Sequence, residues 1–314
     1  MKQKISIYIS IILSIYFYSC NREINEKNFN LSHTENIDKI IMSDKAGNIM
    51  KIEKEKSQWV INNKYPVWKR QIEYTLSVME DIRIKSSVSE KKTEFVLQNI
   101  ATEGVKIEIF NGEKKIKSYY IGGNTSDHHG TYMIMENAEN PYILHIPDRN
   151  PGILNPKYGI EGIYLNENVW RERIKIEISP TQITKVKSID FINKEQSYTI
   201  DIKNKTLTNS KNKNIFIDDK KYNSFASLFS NLQCGMYKPD INTEDLTLIK
   251  KIYITNNNQT DSLVIYDVNR ISKTQKKYNS TVENLYAKWN KSEMVIIQKN
   301  IFNKVLITLD EIQQ

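Results

Sequence analysis

The stretch GVKIEIFNGEKKIKSYYIGG, residues 104–123, decides the fold. Val105, Ile107 and Ile109 alternate with Lys106, Glu108 and Phe110. That is the period of two by which a strand turns one face to a core. Asn111-Gly112 is a strong signal for a tight hairpin turn, because both residue types tolerate positive φ. Ile116–Ile121 then reads as the returning strand. Strands joined by so short a turn run antiparallel, since a parallel crossover takes a dozen or more residues.

The same pattern extends in both directions. Ile40, Met42, Ile49, Lys51 and Gln58-Trp59-Val60-Ile61 read as strands of a meander, and Asn62–Pro66 as a turn. Val67–Ile84 places Ile72, Leu76, Met79 and the aliphatic stem of Arg83 on one helical face. Gly130–Met135 and Tyr142–Ile146 follow as strands. The order then repeats, with Ile183–Ile192, Tyr198–Ile202 and Ile215–Ile217 in the place of the early strands. A helix carrying Phe225, Phe229, Leu232 and Met236 follows, and Leu248–Thr255 with Asn256-Asn257 echoes Val105–Gly112. Ser262–Tyr266, Leu285–Trp289 and Met294–Ile297 complete the set. An offset of about 140–155 residues is a two-copy duplication, since solenoid repeats are far shorter. The expected fold is α+β, in two tandem related units at 37–158 and 174–312. Each is a mainly antiparallel sheet with one principal helix. A connector at 159–173, preceded by Pro147, Pro151 and Pro156, joins them.

The N-terminus reads as an export signal. Lys2 and Lys4 precede an uncharged stretch, Ile5–Ser19. Fifteen helical residues span roughly 22 Å, short of the ~30 Å hydrocarbon core, so the stretch suits a cleaved leader better than a spanning helix. Ser19-Cys20 at its end resembles a bacterial lipobox, with Phe17 and Tyr18 in place of the usual Leu and small residue. Residues 1–19 are therefore read as a lipoprotein signal peptide and Cys20 as the lipidated new N-terminus. Residues 20–36 are read as a polar tether. The expected location is a membrane-anchored lipoprotein of the cell envelope, facing the periplasm from the outer or inner membrane.

Loss of Lys2 and Lys4 lowers the net charge from +8 to +6. The remaining excess is scattered in pairs such as Lys91-Lys92, Lys114-Lys115 and Lys220-Lys221. A nucleic-acid binder would gather it on one stripe, so no nucleic-acid partner is expected. The two cysteines, Cys20 and Cys234, give no disulfide framework and no zinc spacing, and Cys234 reads as a small buried hydrophobe near a helix end.

Four motifs follow one another in order: Tyr120-Ile121-Gly122-Gly123, Gly130-Thr131-Tyr132-Met133, His145-Ile146-Pro147 and Trp170-Arg171-Glu172-Arg173. With Trp59-Val60-Ile61 and its helix upstream, the series resembles the bacterial domain-of-unknown-function family numbered 4340. The resemblance covers roughly Ile37–Ile202 well and the rest loosely. It implies an envelope lipoprotein or membrane-associated protein with no assigned activity. Related domains accompany ABC-transporter auxiliary proteins of the gliding-motility type. The sequence departs from the pattern at Asp148-Arg149-Asn150-Pro151, where a small-aromatic pair usually follows, and at His128-His129.

Candidate chemistry is sparse. His128, His129 and His145, with Asp127, are the nearest approach to a metal-ligand set. Adjacent histidines on an extended loop point in opposite directions, so a solvated pair plus a strand histidine is the preferred reading, and no metal or cofactor is expected. Gly122-Gly123-Asn124 lacks the spacing of a phosphate loop. There is no GxSxG elbow and no SxxK with companions, so catalysis is not expected. Trp170, Arg171 and Arg173 are of interface hot-spot type and are read as a partner-binding site or an inter-unit seam. The expected function is a non-catalytic binding or assembly component. It would have an envelope protein partner and a membrane contact through lipid on Cys20. A glycan- or peptide-binding module and a hydrolase are the alternatives.

Overall fold

The computed structural model describes residues 26–148, 152–257, 259–268 and 283–314. Residues 1–19, read above as a leader, and Cys20 lie outside the described residues. The chain divides between Trp170 and Arg171 into two compact units.

The first unit is built on one sheet. Its strands are β1 (Lys39–Ser43), β2 (Ile49–Glu55), β3 (Gln58–Ile61), β4 (Tyr65–Pro66), β5 (Arg83–Ser87), β6 (Val105–Asn111), β7 (Lys114–Asn124), β8 (Thr131–Met135) and β9 (Tyr142–His145). They lie in the order β4-β3-β2-β1-β6-β7-β8-β9-β5. Alternation fixes the register. Ile40 stands opposite both Ile52 and Ile109, and Met42 opposite both Met50 and Ile107. All six side chains are buried. A slip of one residue would turn this whole row to solvent. In the β6–β7 hairpin the positive φ falls on Gly112, and the residue pair across the turn is Asn111 and Lys114. The turn therefore sits one residue later than Asn111-Gly112.

Two helices flank the sheet. Helix α1 (Lys69–Asp81) buries Ile72, Val78 and Met79 in the main core. Its buried Thr75 and Gln71 both donate to the carbonyl of Lys157, at 2.8 and 3.3 Å. Helix α2 (Glu90–Glu103) forms a separate small cluster, with Val96 and Ile100 packed on Ile134. The expectation of one principal helix is corrected here. The sequence EKKTEFVLQNIATE buries only two side chains, so its apolar stripe is too thin to read from periodicity.

The connector is also absorbed into the first unit as far as Trp170. Leu154, Tyr158, Ile160 and Trp170 all belong to the main core, and two short strands, β10 (Ile160–Glu161) and β11 (Tyr164–Leu165), pair with each other. A Pro-, Gly- and Asn-rich segment cannot build a core alone, but these four large residues complete the core of the sheet. The polar run read as a tether behaves similarly. Phe29 and Leu31 are buried in the same core.

The second unit contains β12 (Lys175–Ile176), β13 (Ile183–Asp190), β14 (Tyr198–Asp201), β15 (Thr206–Asn209), β16 (Asn214–Ile215), α3 (Asp219–Ser227), β17 (Leu232–Gln233), β18 (Leu246–Asn256), β19 (Gln259–Val268), β20 (Asn284–Trp289) and β21 (Val295–Gln298). Its large sheet runs β16-β15-β14-β13-β18-β19-β20-β21, and every pairing within it is antiparallel. Val186 stands opposite Ile200 and Ile254. The edge strand β21 also receives the segment after β17, through Gly235 N–H to Ile296 O at 2.6 Å and a bridge between Tyr237 and Val295.

Asp218 caps α3 by accepting from Lys220 N–H at 2.7 Å. The helix stops at Ser227 and does not reach Leu232 or Met236. Ser224, Ser227 and Ser230 each donate to a carbonyl three residues back, at 3.1, 2.8 and 2.7 Å. Hydroxyls that bond local carbonyls weaken helix continuation. Cys234 is free and buried past β17 rather than at a helix end, with its N–H on Ile174 O at 2.9 Å.

Candidate functional site

Three of the four motifs that carried the resemblance, those at 120–123, 130–133 and 145–147, meet at one end of the first sheet, where they fasten the chain to itself. Gly122, on β7, lies so close to Ile100 that a Cβ would sit 2.6 Å from its side chain. At Gly130 a Cβ would meet Ile143 at 2.4 Å. Thr131 Oγ1 donates to Asn124 Oδ1 at 2.9 Å and accepts from Leu154 N–H at 2.9 Å. Asn155 Nδ2 donates to Gly122 O at 3.0 Å. The glycines are therefore required by close approach, and the polar side chains satisfy the backbone of the segment that carries Leu154 to Trp170.

The histidines lie at this end but serve the loop. Thr125 Oγ1 and His129 N–H both donate to Asp127 Oδ1, at 2.5 and 3.0 Å. Those bonds hold the Asp127 carboxyl down to about 2. His128 adopts φ +57° and donates its N–H to Thr125 O at 2.9 Å. His145 pairs with Arg83 across β9 and β5. Burial lowers the His145 pKa, and the charge of Lys85 lowers it further. Among the described residues no group of three or more His, Cys, Asp or Glu is placed to hold a metal ion.

Trp170, Arg171 and Arg173 are not used alike. The Trp170 indole is fully buried in the core of the first unit, against Gly159. Arg171 belongs to the second unit, where its guanidinium meets Glu293 at 2.6 Å and lies 3.8 Å over the Tyr237 ring. Arg173 donates to Arg171 O at 3.4 Å, and burial lowers its pKa. Burial likewise pushes the Cys234 thiol up to about 12, which removes it as a nucleophile near neutral pH.

A family model described as Domain of unknown function (DUF4340) matches residues 59–251, more than half of the chain. The chain belongs to the DUF4340 family. No curated protein and no solved structure matches it. The DUF4340 match runs from β3 to β18, so it takes in the knot of loops, Trp170 and the start of the second unit.

One feature of this DUF4340 chain was not legible from motifs. The segment from Glu26 to Leu31 is clamped along the first unit. Glu26 accepts from Glu139 N–H at 3.0 Å and Asn140 Nδ2 at 3.1 Å. Lys117 Nζ donates to Asn28 O at 2.7 Å, to Asn28 Oδ1 at 3.1 Å and to Asn30 O. Leu31 N–H donates to Met79 O at 2.8 Å. Phe29 sits between the rings of Tyr119 and Tyr142, with centroids 6.3 and 6.1 Å away. The only sequence signal was two apolar residues, Phe29 and Leu31, in a polar run. Among the described residues no helix is long and apolar enough to cross a membrane.

Proposed function

We propose that this DUF4340 protein is an exported lipoprotein, acylated on Cys20, that serves the cell envelope as a non-catalytic binding or assembly component. The basic start, the short apolar stretch and Ser19-Cys20 support the anchor. The observation that carries the reading is the clamp at Glu26–Leu31, which ties the chain to a folded unit only a few residues beyond Cys20. Gly122, Gly130, Thr131 and Trp170 support the non-catalytic half of the reading, because they are occupied in holding the fold. The envelope setting, and a role beside an ABC-transporter or gliding-motility type assembly, extend the family resemblance to this chain.

The two units are, in the same proposal, copies of one ancestral unit. Their sheets support it. The order β4-β3-β2-β1-β6-β7-β8-β9 corresponds strand for strand to β16-β15-β14-β13-β18-β19-β20-β21. The helix falls at the same place, after β4 and after β16. In each, the segment that follows the helix returns to the far edge, β5 on β9 and Tyr237 on β21. The row Ile40, Ile52, Ile109 corresponds to Val186, Ile200, Ile254.

Metabolic palmitate labelling of wild type and Cys20→Ala tests the anchor. Label lost in the variant supports it, and equal label overturns it. Crosslinking on intact membranes, followed by identification of an envelope protein bound to wild type but not to Cys20→Ala, tests the assembly role.

A further inference from the structure

We infer that the sheet end bearing the turns at 56–57, 112–113 and 136–141 is the membrane-proximal surface of the first unit, and that it faces the headgroup layer holding the lipid on Cys20. The inference rests on the anchor proposed above and adds a direction to it.

Strand polarity defines two ends of the first sheet. The turns β2–β3, β6–β7 and β8–β9 lie at one end, and the β1–β2 turn and the β7–β8 loop at 125–130 lie at the other. Strand β7, with eleven residues, spans the sheet between them. At about 3.4 Å per residue that separates the ends by roughly 37 Å.

The chain enters at the first end. Glu26 is bonded to Glu139 and Asn140 in the β8–β9 turn, and Lys117 on β7 holds Asn28 and Asn30. Six residue steps separate Cys20 from Glu26. Fully extended they reach at most about 22 Å. An acyl group on Cys20 therefore keeps Glu26 within that distance of the bilayer surface, whatever path the six residues take. The same reach does not bridge the roughly 37 Å to the other end.

The opposite end is closed by the segment at 165–167. Leu165 N–H donates to Asp44 Oδ2, in the β1–β2 turn, at 3.1 Å. Asn62 Nδ2, in the β3–β4 turn, donates to Glu167 Oε2 at 3.0 Å. The far end also carries His128 and His129, which leaves that loop exposed to the aqueous side.

The test uses the full-length acylated protein in phosphatidylcholine–phosphatidylglycerol vesicles containing a headgroup-labelled acceptor lipid. Single labelling sites are made at the exposed turns, Lys114→Cys at the near end and Ala46→Cys at the far end. Cys234 is buried and Cys20 is blocked by acyl. Energy transfer several-fold higher from position 114 than from 46 is the expected result. Equal transfer, or more from 46, in protein whose acylation is verified by mass overturns the orientation and leaves the anchor standing. Protein found unacylated at Cys20 overturns both. A Gly/Ser insertion of fifteen residues after Cys20 should shrink the difference, and an unchanged difference would overturn the short lead as its cause.

Discussion

The indole of Trp170 packs so closely on Gly159 that a Cβ at position 159 would lie 2.3 Å from Nε1. Gly159 holds φ +70°, where a side chain is already strained. Two conditions therefore reserve the position for glycine, and the first is set by a residue eleven places further along the chain. This contact closes the first unit. The Trp170 carbonyl accepts from Trp68 N–H at 2.6 Å, just before the start of α1.

Trp170→Ala should lower the stability of the first unit by about 3–5 kcal/mol, the usual cost of truncating a large buried aromatic. Gly159→Ala should cost about 1–3 kcal/mol from backbone strain, and more if the indole has to shift. Thermal melts and chemical denaturation check both. A Trp170→Ala melt equal to wild type would contradict full burial of the indole.

Phe29→Ala should release the N-terminal clamp. Removing a fully buried ring from between Tyr119 and Tyr142 costs on the order of 3–5 kcal/mol. Limited proteolysis should cut Phe29→Ala between residues 26 and 37 sooner than wild type. Lys117→Met should do the same to a smaller extent, because it removes the donors to Asn28 and Asn30 but keeps the stem.

Much of the fold was legible because it is written in period two. Ile40, Met42, Ile107, Ile109 and their second-unit counterparts alternate cleanly, so strands, hairpins and antiparallel pairing follow from the sequence. Elements with little apolar content were not legible. Helix α2 rests on Val96 and Ile100 alone, and Phe29 and Leu31 stand isolated in a polar run. Composition misled around the connector, where prolines and asparagines masked Leu154, Tyr158 and Ile160 as core residues, and Trp170, read as an inter-unit seam or partner-binding residue, belongs to the same core. The motif residues were legible as a set but not in their role. Close approach at Gly122, Gly130 and Gly159 depends on partners distant in sequence, Ile100, Ile143 and Trp170, that no spacing reveals.

The paired sheets make a symmetrical prediction. Ile52 and Ile200 occupy equivalent positions beside Ile40 and Val186, and each is fully buried in its own unit's core. Ile52→Ala and Ile200→Ala should each cost about 2–5 kcal/mol. Hydrogen exchange resolved by peptide should place the loss of protection within 26–170 for the first and within 171–314 for the second. Loss spread evenly over the whole chain from either variant would show that the cores do not act separately.

On the first sheet Glu136 accepts from Lys106 at 2.7 Å and from Lys115 at 2.8 Å, and Glu108 meets the same two lysines at 3.1 and 3.0 Å. Burial works against ionisation of Glu136, yet the hydrogen bonds from Lys106 and Lys115 outweigh it and hold the carboxyl down at about 2. A carboxyl whose folded value lies below its ordinary value of 4.5 contributes stability that is fully present above about 4.5. That contribution is lost as pH falls from there through about 2, as the folded protein is forced to take up the proton. The site is partly open to solvent, with Lys115 two-fifths exposed, so screening holds the contribution to about 1 kcal/mol. Glu136→Gln should therefore lower the denaturation midpoint most at pH 7 and progressively less below about 4.5. The wild-type and variant curves should converge as pH falls from 4.5 through about 2. A constant gap across that window would mean that Glu136 acts through packing, and that its charge contributes nothing to the stability of the sheet.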